Sequence, residues 1–202
     1  MTDQQLNRAD KAVQGIVSGT VKALTRRGAD KLSVSDICEA SGISRGTFYR
    51  YFASKDDVLS ALGRHFEEGI ADAIAVAIAA NPAPEDRVRV VLDAILDYRN
   101  DTADFAGMFE ATPDFTLGFL RGAFPQLVDI VTDALGPAVE TSPLVAAGEL
   151  NPRQLGELFL RTVMSMLLFP GSRAQQVPQL VTSLFRSDAA VPARRGRRPK
   201  AS

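Results

Sequence analysis

Arg45, Gly46, Thr47 and Arg50 fall within six residues, and together they suit one kind of chemistry. A guanidinium can form paired hydrogen bonds to O6 and N7 of guanine. A threonine can meet a thymine methyl or a phosphate oxygen, and a second arginine can read a base or grip the backbone. Gly46 lets the main chain approach closely. Ser33 and Ser44 offer hydroxyls nearby, and Lys55 offers an ammonium at a helix start, where free amides favour an anion. The pattern is that of a surface that reads double-stranded DNA.

These side chains need short, sharply ended helices to present them. Ser33 with Asp36 makes a reciprocal cap for a helix running to about Ala40. Gly42 supplies the left-handed residue of a tight turn. Ser44 caps a second helix, Arg45 to about Phe52, with Tyr49 also outward. Ser54 and Asp57 cap a third. Ile37, Ile43 and Phe48 are the apolar contacts between the first two. Upstream, Val13, Ile16, Val17, Thr20 and Leu24 fall on one face of a helix ending at Gly28, the third wall of a small core. Two short helices across a glycine turn form a helix-turn-helix, whose second helix enters the major groove.

The run Gly42-Ile43-Ser44, then Gly46-Thr47-Phe48-Tyr49-Arg50-Tyr51-Phe52, then Ser54-Lys55 and Leu59, resembles the signature of the TetR family of bacterial transcriptional regulators. Gly28, Ser33, Asp36 and Ile37 also fit that pattern; Cys38 departs from it, standing where the family more often has alanine. The resemblance covers about residues 8 to 60. It implies that Tyr49 and Lys55 contact phosphate, that two copies bind a palindromic operator as a homodimer, and that a small hydrophobic effector releases the DNA. Repression rather than activation follows from family habit.

Composition agrees. The 202 residues are 46% hydrophobic and 23% charged, with no apolar stretch long enough to span a membrane and a polar start. A single cysteine suits a reducing cytoplasm. One histidine and one cysteine leave no metal cluster and no cofactor motif, and no nucleophile elbow or phosphate loop appears, so an enzyme is not expected. Charge is uneven. Residues 1–60 carry nine basic and seven acidic side chains, residues 61–190 nine arginines, no lysine and seventeen acids, and residues 191–202 five basic side chains. A DNA-facing head on an acidic body fits that division; acidic helices that merely aid solubility fit it equally.

The whole reads as all-α: a three-helix head over residues 1–54, then a helical effector-binding and dimerisation domain over 55–190, entered by a long helix from Lys55 to about Ala80. Asn81-Pro82-Ala83-Pro84 ends that helix. Residues 103–122 are expected to be broken, with a separate segment from Gln126 to Leu135; residues 138–150 lack a clear period and read as a long loop. Asn151-Pro152 starts a further helix, and a last one ends near Arg186. The resemblance implies a central pocket, and Phe105, Met108, Phe109, Phe115, Phe119 and Met164 are its candidate lining; ordinary core packing is the alternative. Glu110, Asp114 and Arg121 are candidate polar anchors. Leu155, Phe159 and Val163 with Val177, Leu180 and Leu184 are the candidate dimer interface, in two helices apolar on more than one face. Burial of both helices within one subunit is the competing arrangement. The basic segment 191–202 is expected to be a disordered tail that adds DNA affinity or is simply solvated. A helical DNA-architectural or partner-binding protein without an effector is the alternative function.

Overall fold

The computed structural model describes residues 3–101, 107, 108, 111–168 and 185, and no strand occurs among them. Four helices make the first part: α1 (Asp3–Arg27), α2 (Val34–Ser41), α3 (Arg45–Tyr51) and α4 (Lys55–Ala80). A 3-10 turn at Pro84–Asp86 leads into α5 (Arg87–Asp101). Then come α6 (Pro113–Leu135), the one-turn helices α7 (Pro137–Glu140) and α8 (Pro143–Ala146), and α9 (Pro152–Leu168).

The N-terminal stops and starts are where the side chains place them. Ser33 Oγ accepts from the Asp36 amide, and the Asp36 carboxylate accepts from the Ser33 amide, closing the expected reciprocal cap. Gly42, at φ 66°, ends α2 in the left-handed region, where a β-carbon would be strained. Ser44 and Ser54 cap α3 and α4 through the amides of Thr47 and Asp57. Ile16, Val17 and Leu24 of α1, Ile37 of α2, Phe48 of α3 and Val58 and Leu62 of α4 are all at most 2% exposed and close the head around one core. That core continues along α4 through Phe66, Ile70 and Ile74 onto α5 and α6. α4 therefore belongs to the core of the head at its start and to the core of the body further on.

Two expectations for the body are corrected. The chain does not break at Phe124-Pro125: α6 runs unbroken for 23 residues with Pro125 inside it. Proline removes one amide and crowds the carbonyl four residues back, at about 3 kcal/mol. Pro125 sits on the exposed side, while Leu120, Ala123, Leu127, Val128 and Val131 are buried on either side of it and hold the helix together. Residues 138–150 are likewise not a long loop. Pro137 and Pro143 each start a helical turn, Val139 and Ser142 are buried, and Gly148, at φ 71°, closes the second turn. Single turns of four residues are too short to show a helical period, so periodicity could not reveal them.

α9 begins on a polar cap in which Asn151 and Gln154 exchange side-chain-to-amide hydrogen bonds of 2.9 Å each. It packs on α6 so closely that a β-carbon at Gly156 would collide with Thr132. Leu155, Phe159 and Val163 are each fully buried, and Phe159 also meets the ring of Phe185 edge-on at 6.0 Å. These three residues are therefore already covered within their own chain, so this face is not the one left open to a second copy. The outward face of α9 is the one left uncovered among the described residues, with Leu158 40% and Leu168 37% exposed. Val177, Leu180, Leu184 and the basic segment 191–202 lie outside the described residues.

Candidate functional site

α3 is held by its buried side and leaves the rest free. Phe48 is fully buried, with Phe52 at 5.8 Å and Tyr49 edge-on at 5.4 Å, so the helix cannot roll without opening the head core. The residues on its outer side are Arg45, Gly46, Tyr49 and Arg50, all exposed, with Thr47 half-buried. Tyr49 is 57% exposed, a large aromatic side chain at a position that burial does not explain. The N-terminal amides of α3 sit beneath Ser44, whose hydroxyl takes the Thr47 amide and lies 3.0 Å from Thr47 Oγ1.

The two arginines are positioned differently. Arg45 donates from Nη2 to Ser35 Oγ at 2.5 Å, which holds the guanidinium at the junction of α2 and α3. Arg50 lies over the Tyr51 ring, 5.0 Å from its centroid, and donates to the Tyr51 hydroxyl at 3.4 Å. Ser35 and Tyr51 were not among the sequence candidates. Ser35 follows the cap residue by two and carries no motif, so only the fold brings it to Arg45. Tyr51 is a half-buried support for Arg50.

Ser33 is more committed to structure than expected. Its hydroxyl donates to Asp36 Oδ2 at 2.5 Å while accepting the Asp36 amide. The Ser33 hydroxyl and amide hold the Asp36 carboxyl below the ordinary carboxylate range, and Arg27, 3.1 Å away, adds to the effect. Arg27 thereby ties the end of α1 to the start of α2. Lys55 is half-buried in the first turn of α4, next to Asp56 and Asp57; Asp57 turns its carboxylate to the Ala53 amide at 3.0 Å.

The body holds a small apolar cavity of about 40 Å³ between α4, α5, α6 and α9. Phe66, Ile70, Ile95, Tyr98, Leu120 and Leu127 form most of its wall, with Leu160, Met164, Leu167 and Leu168 from α9 and one charged side chain, Arg99. Of the lining expected from sequence, Met164 is there. Met108 is fully buried elsewhere; its carbonyl accepts the hydroxyls of Thr112 and Thr116. Phe115 and Phe119 stack on each other at 6.1 Å, and Phe119 meets Phe66 edge-on at 5.4 Å, so they back the wall and do not line it. Phe105, Phe109 and Glu110 lie outside the described residues, and Asp114 is exposed at the start of α6. The residues that the sequence reading missed, on α4 and α5, carry ordinary helical periodicity and look like core. Only their meeting in space marks them. On the outer side of α6 and α9 a groove of about 450 Å³ is lined by Leu117, Arg121, Phe124, Arg161 and Ser165, and shares Leu120, Met164 and Leu168 with the cavity.

An all-helical chain with a capped helix-turn-helix and an exposed reading helix belongs to the class of DNA-binding regulators. Residues 16–62 match the family model for bacterial regulatory proteins of the tetR family, so the match covers the head and the first turns of α4. The uncharacterized HTH-type transcriptional regulator Rv1255c of Mycobacterium tuberculosis is 26% identical over 167 residues, 81% of this chain and 78% of that relative. Among solved structures, the fatty acid degradation regulator FadR from Bacillus halodurans superposes with a TM-score of 0.64 at 17% identity, over 84% of this chain and 94% of its own. FadR from Bacillus subtilis, solved in complex with stearoyl-CoA, gives 0.62 at 16% identity, over 84% of this chain and 97% of its own. These two likenesses extend the shared fold to the body. The head therefore carries the helix-turn-helix of the bacterial tetR-family regulators, and the body shares the all-helical fold of these solved relatives. No helix among the described residues is long and apolar enough to cross a membrane.

Proposed function

We propose that the protein is a ligand-responsive transcriptional repressor in the cytoplasm. It binds a palindromic operator as a homodimer and is released when a small hydrophobic effector enters the body. The observation that carries this reading is α3 itself: a helix pinned by Phe48, capped by Ser44, and presenting Arg45, Gly46, Thr47, Tyr49 and Arg50 along its outer side. Arg45 reads base edges, Tyr49 and Lys55 grip phosphates, and Ser33 and Ser44 chiefly hold the frame. Residues 1–54 act as the DNA-binding unit and 55–190 as the effector and dimer unit, with 191–202 adding nonspecific affinity.

Two-fold pairing needs an uncovered apolar face. The outward side of α9 around Leu158 and Thr162 is a described surface that fits. The cavity lined by α4 supports effector control, because Phe66 is on the same helix as Lys55 and a shift of α4 moves the head. A second reading, a DNA-binding protein that senses no small molecule, is favoured by the small volume of that cavity; flat thermal-shift responses across apolar compounds select it. Fluorescence anisotropy with DNA from upstream of the protein's own gene tests the main reading. Saturable binding that exceeds scrambled DNA at equal salt is expected, and binding no better than scrambled DNA overturns it.

A further inference from the structure

The cavity and the adjoining groove have an unusual charge. Between residues 61 and 190 the chain carries nine arginines and seventeen acids. Three of those arginines line the two adjoining spaces, Arg99 the cavity and Arg121 and Arg161 the groove, and no acidic side chain lines either part among the described residues. An acidic body has thus placed arginines around an apolar interior surface.

The three arginines differ in how far they are already satisfied. Arg161 donates to Glu157 and lies over the Phe124 ring. Arg121 is exposed on the groove side, where water serves it. Arg99 sits in the last turn of α5, where the helix dipole favours a cation. Its Nε is nevertheless buried without a hydrogen-bond partner, and no salt bridge among the described residues reaches it. A buried guanidinium nitrogen beside hydrocarbon is costly unless something accepts its protons. The fork of a guanidinium matches carboxylate or phosphate oxygens.

Building on the effector reading above, we infer that the effector is an anionic amphiphile: an aliphatic chain whose carboxylate or phosphate head is bound by Arg99. The chain lies against the apolar wall and, past Met164, in the groove. Met164, Leu120 and Leu168 are all that the cavity and the groove share, and an unbranched methionine can swing aside to join the two spaces.

Titration calorimetry on the full chain tests this with four probes of one chain length: decanoate, decyl phosphate, decanol and decylamine, each below its aggregation threshold. At least one of the two anions is expected to bind ten times more tightly than decanol, with decylamine weakest; the tighter anion identifies the head group. Arg99→Met is expected to bring the anions down to the decanol value, and Arg99→Lys to restore part of the preference. Unchanged thermal melting of both variants separates this from loss of fold. Equal binding of decanol and both anions overturns the anionic head while leaving an apolar effector in place. Retention of the preference in Arg99→Met overturns the role of Arg99. Absence of binding by all four, with operator DNA still bound in the same preparation, overturns the amphiphile itself and leaves the DNA-binding reading standing.

Discussion

The head and the body solve opposite problems. In the head, α3 must show polar side chains to a partner, and its two phenylalanine neighbours, Phe48 and Phe52, are turned inward. In the body, the surface of interest is apolar and internal, and it is assembled from α4, α5, α6 and α9, with lining residues spread from Phe66 to Leu168. Function in the first case depends on local caps that fix one short helix. In the second, the proposed effector control depends on how four helices fail to fill the space between them. A local device leaves a local signature; a shared space does not.

That contrast can be broken most severely at Phe48. Phe48→Ala removes a fully buried ring from the small head core, at about 3–5 kcal/mol. Urea unfolding followed by circular dichroism should show the loss, with DNA binding abolished. A loss below about 1 kcal/mol would mean that α3 is not held as described. Next is the outer face of α9. Leu158→Asp should weaken a homodimer by about 1–2 kcal/mol per copy, from the apolar area still open to a partner. Sedimentation should then show monomers at concentrations where the unaltered chain pairs, and an unchanged dimer would move the interface elsewhere. The smallest effect concerns the cap. Ser33→Ala should cost about 1 kcal/mol.

Asp36 gives that cap a pH signature. Its carboxyl is held low in the folded chain by the Ser33 hydroxyl and amide, then by Arg27. Its contribution is therefore complete above the unfolded carboxylate value of about 3.9 and is lost as pH falls through the lower folded value. Stability should decline on acidification through that window, and less steeply in Asp36→Asn. Equal slopes would remove the cap from the account.

The same contrast explains what could be read from the residues alone. Ser33, Asp36, Gly42, Ser44 and Ser54 each act within four residues of themselves, so the ends of α2, α3 and α4 were legible. Pro125 misled because a proline breaks a helix only when packing on either side does not hold it. The stripe Leu155, Phe159, Val163 was correctly apolar, but a stripe does not say whether its cover is α6 or a second copy. Aromatic crowding pointed to Phe115 and Phe119, one layer behind the cavity wall. Arg99, the charged residue inside the cavity, had no sequence mark beyond its place near the end of α5.

The central claim is that α3 reads sequence while the start of α4 grips the backbone. The most direct test compares Arg45→Ala with Lys55→Ala by anisotropy on operator and scrambled DNA across a salt series. Arg45→Ala should lose about 1–3 kcal/mol of preference for operator over scrambled DNA. Lys55→Ala should weaken both DNAs alike and flatten the salt dependence by about one phosphate contact. Equal loss of preference in the two variants, or no loss in Arg45→Ala, would contradict that division of labour.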